Sequence, residues 1–208
     1  MQEEDTAAAA KTQPSIAARA RELEAYETDL AAAKAILRVE AIRGKVHDPC
    51  CGFGQLGLAL REDPDYNRVW YETDVFPWWE ERDRSQCEYR FQADFLLMEQ
   101  RPFQAETLFM NPPFSKACEF VEHGKRLGYR KIVCFQRDAW WEAGVRANFW
   151  SEHPPNRRYT CRKRATCWRF DITLGETEKP LGNTPTSHSW FVWEEGHPLG
   201  TLVGHLDW

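Results

Sequence analysis

Lys45-Val46-His47-Asp48-Pro49-Cys50-Cys51-Gly52-Phe53-Gly54-Gln55-Leu56-Gly57 is a short apolar run, a carboxylate, a glycine turn and the start of a helical segment. Strand, tight turn and helix in that order open a parallel α/β sheet. Within it, Gly52 to Gly57 fits the G-x-G-x-x-G pattern, whose glycines let the backbone turn sharply and approach a ligand. Any adenosine-containing cofactor suits such a turn, a nicotinamide dinucleotide included. Asp48 tips the balance. A carboxylate just ahead of the turn repels a pyrophosphate but suits a cationic amino-acid tail and a sulfonium, and S-adenosylmethionine carries both.

Outward from this stretch, apolar runs alternate with helical ones. Strands are expected at Lys45 to His47, Val69 to Tyr71, Glu88 to Gln92, Thr107 to Met110 and Lys131 to Phe135. Helices are expected between them at Gln55 to Arg61, around Trp78 to Arg84, and at Lys116 to Leu127. Before the first strand, Ser15 to Glu24 reads as helical, and Tyr26-Glu27-Thr28-Asp29 leads into a helix running to Arg43 and ended by Gly44. After a helix near Trp140 to Trp150, Tyr159 to Cys167 and His188 to Trp193 read as two further strands. The pattern predicts an α/β fold: a doubly wound, mostly parallel sheet of about seven strands closed by a C-terminal antiparallel pair. Residues 15–208 form one domain in this reading, and residues 1–14, acidic and then alanine-rich, a disordered arm.

Ligands of such sheets lie beyond the carboxyl ends of the strands. Asp48 follows the first strand, Glu72 and Asp74 the second, Asp94 the third and Asn111 the fourth. Asp74 or Glu72 is expected to accept from ribose hydroxyls, Asp94 to accept from an adenine amine, and Phe95 to lie against that ring. Asp48, Pro49, Gly52 and Gly54 form the cofactor turn. Tyr26 and Thr28 are candidates to close its far end, with a plain helix N-cap the alternative for Thr28.

Asn111-Pro112-Pro113-Phe114 carries the chemistry. An exocyclic amine on a nucleobase is a poor nucleophile because its lone pair is delocalised into the ring. Acceptors that draw the nitrogen towards tetrahedral geometry restore its reactivity. The Asn111 side-chain oxygen and the Pro112 carbonyl are such acceptors, Pro112 and Pro113 bring no competing N–H, and Phe114 offers a flat face for a base.

Composition narrows the alternatives. The chain has 208 residues, enough for a substantial core, and its seven cysteines show no regular spacing, which argues against a disulfide framework and against zinc. Cys50 and Cys51 read as small residues packed at the turn. No apolar stretch approaches a membrane span and the acidic start is unlike a secretory signal, so a cytoplasmic protein is expected. A net charge of −5 excludes indiscriminate binding of nucleic acid over the whole surface. A local basic face remains: Arg157, Arg158, Arg162, Lys163, Arg164 and Arg169 follow one another without a carboxylate. They are candidate phosphate contacts, or else a charged strand edge. Trp140 and Trp141, after the fifth strand, are candidates to wall a base pocket or grip nucleic acid, core packing being favoured for at least one, and Arg146 is a candidate phosphate contact or a solvated helix face.

On the Asp48 to Gly54 turn and the Asn111 to Phe114 tetrapeptide, the chain resembles the S-adenosylmethionine-dependent amino-group methyltransferases of DNA, most closely the small adenine-N6 methyltransferases of phages and prophages. Weaker similarity runs from Tyr26 to Trp193. Tyr26-Glu27-Thr28-Asp29 is similar to the family's aromatic-x-Thr-Pro element, with Asp29 in place of proline, and His188 to Trp193 to its last strand. The resemblance implies a Rossmann-like class I methyltransferase fold and direct methyl transfer to a base flipped onto Phe114. DNA is the implied partner; no segment is long enough for a separate target-recognition domain, and the cysteine spacing leads to no expected metal. RNA bases and protein glutamine pose the same lone-pair problem and stay open as substrates, as does a prophage remnant that binds without turnover. A nicotinamide oxidoreductase is the remaining rival.

Overall fold

Strands that are apolar on both faces need a layer on each side. The computed structural model describes residues 16–42, 44–165, 168–169, 186–198 and 200–208. The expected arm, residues 1–14, lies outside them. In chain order the elements are α1 (Ile16–Glu22), β1 (Tyr26–Glu27), α2 (Leu30–Leu37), β2 (Val46–Asp48), α3 (Gln55–Arg61), β3 (Trp70–Asp74), β4 (Arg90–Gln92) and β5 (Thr107–Met110). They continue with α4 (Ala117–Arg126), β6 (Lys131–Arg137), α5 (Asp138–Glu142), α6 (Ala147–Glu152), β7 (Arg157–Cys161), β8 (Trp168–Arg169), β9 (His188–Glu194) and β10 (Leu202–Leu206).

Eight strands form one sheet in the order β10-β7-β9-β6-β5-β2-β3-β4. All neighbours pair in parallel except β9, which runs antiparallel to both β6 and β7. The doubly wound sheet and its closing antiparallel pair are therefore as the pattern predicts, with one strand more. That strand, β10, pairs in parallel with β7 at the sheet edge. Its residues Leu202 and Val203 are exposed, so it has no buried apolar alternation to announce it.

Alternation along the central strands splits the core in two. Phe109, Val133, Phe135, Trp190 and Val192 face α2 and α3. Leu108, Met110, Ile132, Cys134 and Phe191 face α4, α5 and α6. The expected single helix over Trp140 to Trp150 is broken by a 3₁₀ turn at Gly144–Arg146. The break brings Trp140 and Trp150 to 4.6 Å from each other and to 5.1 and 5.7 Å from Phe191. Around Trp78 the expected helix is one 3₁₀ turn, Trp78–Glu80.

Two further differences concern where elements begin and end. The second helix ends at Leu37 instead of Arg43, because the chain leaves it to bury Glu40 against Lys131 Nζ (2.7 Å), Arg157 and Tyr159 Oη (2.7 Å). The strand expected over Tyr159 to Cys167 begins earlier, at Arg157, and ends at Cys161. Beyond it the chain leaves the sheet, and β8 pairs with β1 in a separate two-stranded ribbon, Glu27 opposite Trp168. Among the described residues no helix is long and apolar enough to cross a membrane.

Candidate active site

Four strand ends converge on one cavity at the carboxyl edge of the sheet, and Asp48, Asp74, Asp94 and Asn111 all line it. Among the described residues six carboxylates in total, with Glu22, Glu24 and Glu27, line it against a single cation, Lys116. Such a lining opposes a pyrophosphate and favours a cationic ligand.

The glycine turn is tied to the neighbouring strand. Gly52 has φ +55 and donates its N–H to Asp74 Oδ2 at 3.0 Å, while Cys51 N–H donates to the Thr73 carbonyl. Nothing lies within 4 Å of a Cβ built on Gly52, so the backbone there is open to a ligand. Gly54, at φ +85, is fitted tightly instead: a Cβ would meet Ser85 Oγ at 2.6 Å. Asp48 accepts from Cys50 N–H at 3.2 Å. Burial, and then the proximity of Glu72 and Asp74, hold its carboxyl well above the usual carboxylate range. Burial likewise pushes Asp74 up to about 6, against its hydrogen bonds from Gly52 and Phe76 N–H. A cation placed beside these two groups would favour their charged forms and so oppose the desolvation that raises them. Gln55, at the head of α3, adds a buried Oε1 with no hydrogen-bond partner among the described residues.

Glu72 is not a ribose ligand. It is fully buried behind the turn, accepts from Arg90 Nε (2.8 Å) and Nη2 (2.6 Å), from Ser85 Oγ (2.8 Å) and from Trp70 Nε1 (3.2 Å), and does not line the cavity. Gly57 makes room for this network: a Cβ there would meet Glu72 Oε1 at 1.9 Å. Asp94 lines the cavity while capping the next 3₁₀ turn through Leu96 N–H at 2.9 Å. Phe95, 1% exposed, forms the wall from a core position against Phe120 and His123. Cys50 and Cys51 are thiols, their acidities suppressed first by burial and then by the nearby carboxylates.

In the Asn111-Pro112-Pro113-Phe114 tetrapeptide, Asn111 Nδ2 donates to the Tyr26 carbonyl at 3.1 Å and to Thr28 Oγ1 at 3.0 Å. The Tyr26 carbonyl only accepts, so the amide nitrogen must face it and Oδ1 is left as the acceptor. Thr28 is thus a partner of Asn111 and not a helix cap. Asp29 caps α2, accepting from Ala31 N–H at 2.9 Å. The Pro112 carbonyl already accepts from Gln136 Nε2 at 2.9 Å, so its second lone pair is what remains for a substrate. Pro113 lines the cavity, and Glu24 Oε2 accepts from Ser115 N–H at 3.0 Å, tying the loop after α1 to the tetrapeptide across the cavity lining.

Phe114 stands beside the cavity with its ring 5.4 Å from that of Tyr26. The Arg137 guanidinium lies 3.9 Å from its centroid. Sequence reasoning missed Arg137 and Gln136, because the apolar run that marks β6 stops at Phe135. The pairing of β6 with β9 continues to Arg137 opposite His188. The rule that strand ends deliver polar groups was the signal available.

The basic stretch divides in two. Arg157 is buried in ion pairs with Glu40 and Glu194. Arg158 pairs with Asp138 at 2.9 Å and covers the rings of Trp141 and Phe191. Both are engaged with carboxylates of the fold, Arg157 buried and Arg158 half-buried. Arg162, Lys163 and Arg164 are exposed. They follow the carboxyl end of β7, which runs in the same direction as β6, and so lie along the edge that carries the cavity. Arg169 sits in β8. Trp140 is core, 3% exposed, and Trp141 is half-buried against Trp150.

No family model and no curated protein matches the chain. Solved structures do. A protein of Pyrococcus horikoshii provisionally named an RNA methyltransferase superposes with a TM-score of 0.57 at 15% identity, over 88% of this chain and 90% of its own. A type I restriction-modification methyltransferase subunit of Streptococcus thermophilus gives 0.57 at 13%, over 82% of this chain and 45% of its own. A SAM-dependent O-methyltransferase of Thermotoga maritima gives 0.52 at 9%, over 89% and 74%. At these identities the likeness is one of fold. The chain has the Rossmann-like α/β fold that these methyltransferases share.

Proposed function

We propose that the protein transfers a methyl group from S-adenosylmethionine to the exocyclic N6 amine of adenine in DNA. The observation that carries this reading is the anchoring of Asn111. Its amide nitrogen is held by the Tyr26 carbonyl and Thr28, which fixes the side chain of a cavity-lining residue and leaves its oxygen as an acceptor.

The cavity fits the cofactor in charge and in shape of lining. Asp48 and Asp74 would hold its cationic end and its ribose hydroxyls, Gly52 would let the backbone approach, and Asp94 with Phe95 would take the adenine. S-adenosylmethionine would supply an electrophilic methyl group on sulfur. Asn111 Oδ1 and the free lone pair of the Pro112 carbonyl would accept the two N–H bonds of the target amine, localising its lone pair on nitrogen. The N–C bond forms as the C–S bond breaks, and one amine proton then leaves to solvent. No step requires a protein nucleophile, in keeping with thiols at Cys50 and Cys51. Arg162, Lys163 and Arg164 would contact phosphates beside the flipped nucleotide.

The test is incubation with isotopically labelled S-adenosylmethionine and DNA from a methylation-deficient host, followed by mass spectrometry of the nucleosides, with Asn111→Ala alongside. Labelled N6-methyladenine from the native protein alone is expected. Label appearing only in RNA or protein fractions offered in competition would overturn the DNA reading and keep the chemistry.

A further inference from the structure

Phe114 sits between Pro113 and Ser115, which line the cavity, and one face of its ring is taken. The Arg137 guanidinium stands 3.9 Å from the ring centroid, at stacking distance, and 5.8 Å from the Tyr26 centroid. Arg137 ends β6, directly after Gln136, whose amide holds the Pro112 carbonyl. Its backbone is therefore fixed in the same frame as the catalytic loop. Among the described residues Arg137 forms no hydrogen bond or ion pair with a carboxylate, whereas Arg84, Arg90, Arg157 and Arg158 all do. Charge pairing does not explain its position; the aromatic face does.

A guanidinium and an adenine share their outline at this site: each is a planar, delocalised group with amino N–H donors in the plane. Resting on Phe114, Arg137 marks a slot for such a group. A base entering that slot must lift the guanidinium by about one stacking distance, within the reach of a long, flexible side chain.

We propose that Arg137 is a positioning residue that caps the extrahelical base, its guanidinium stacking on the face of the adenine opposite Phe114. The base is then sandwiched between an aromatic ring and a planar cation, and its amine is kept level with Asn111. This rests on the reading of the site as a base methyltransferase.

The experiment measures kcat, KM and the salt dependence of DNA binding for the native protein, Arg137→Ala, Arg137→Lys and Arg137→Gln, with DNA from a methylation-deficient host. Cofactor affinity and Tm serve as controls of folding, and Lys keeps the backbone and the charge should Ala unfold the chain. Loss of one stacking partner is expected to lower kcat about tenfold in both Ala and Lys, with the salt slope unchanged and Gln, a planar amide, losing least. Full activity in Arg137→Lys, a faster Arg137→Ala, or a loss confined to KM with a shallower salt slope would overturn the cap and assign Arg137 to a plug or a phosphate contact. A native protein that binds cofactor but methylates no DNA would instead sink the underlying reading, and the cap with it.

Discussion

Thr28 Oγ1 and Asn111 Nδ2 lie 3.0 Å apart, joining segments 83 residues distant in the chain. Three acceptors meet at the Asn111 amide, but only two of them, Thr28 Oγ1 and the Tyr26 carbonyl, face its nitrogen, and its own oxygen is the third. Thr28→Val should therefore leave cofactor affinity within about twofold while lowering kcat about tenfold, as expected when one hydrogen bond that orients a reacting group is removed. Steady-state kinetics with unmethylated DNA decide it; an unchanged kcat would show that Tyr26 alone orients the amide. Asn111→Asp should be worse than Thr28→Val, since a carboxylate facing the Tyr26 carbonyl leaves acceptor against acceptor.

Asp74 and Glu72 make opposite predictions. The ribose contact needs an ionised acceptor, and burial lifts Asp74 to about 6, so cofactor affinity should fall as pH drops below 6, by up to about tenfold per unit. For folding the sign reverses. A raised carboxyl favours the protonated folded state, so the stability this group contributes is full below its ordinary value of 3.8 and lost as pH rises through 6, a swing of about 3 kcal/mol. Asp74→Asn should flatten both profiles, read by calorimetric titration and by Tm against pH. A cofactor affinity that stays constant from pH 7 to 5 would remove Asp74 from the ribose.

Glu72→Gln should act on stability instead. It removes the buried counter-charge of Arg90, which keeps only the more exposed Asp83 at 2.8 Å, at a cost of about 1–3 kcal/mol. Thermal denaturation should show the loss, with the cofactor dissociation constant of the folded protein little changed.

Gly57→Ala is a steric test of the same network. The added methyl would overlap Glu72 Oε1 and approach Ser85 Cβ to 2.7 Å, so the helix must shift, costing about 1–3 kcal/mol. A Tm equal to that of the native protein would mean that the turn and β3 are less rigidly joined than the packing implies.

The basic stretch is expected to behave as two populations. Arg157→Ala should lower Tm strongly and leave the salt dependence of DNA binding alone, because its charge is already matched by Glu40 and Glu194. Replacing Arg162, Lys163 and Arg164 together with Gln should spare Tm and flatten the slope of log K against log salt by about 0.9 for each phosphate that the three side chains no longer neutralise. An unchanged slope would leave these three as surface charge.

Local sequence determined the sheet and its active edge. Apolar runs of strand length, each followed by a turn and a carboxylate or amide, place Asp48, Asp74, Asp94 and Asn111 at one end, because in a parallel sheet all carboxyl ends point the same way. The glycine turn was legible for the same reason: a positive φ at Gly52 and Gly54 restricts residue choice at the position itself. What tertiary structure decided was which charges are available. Glu72 and Asp74 are two residues apart and equal as acceptors, and only the arrival of Arg90 and Ser85 from the next segment occupies one of them. Arg157 and Arg162 look alike in a basic run until Glu40 folds under the first. Thr28 resembles a cap until Asn111 reaches it, and Arg137 has no visible role until Phe114 lies beneath it. Each of these outcomes depends on a partner distant in the chain. Periodicity and turn chemistry act over a few residues, whereas a buried charge takes whichever counter-charge the packed fold brings within hydrogen-bonding reach.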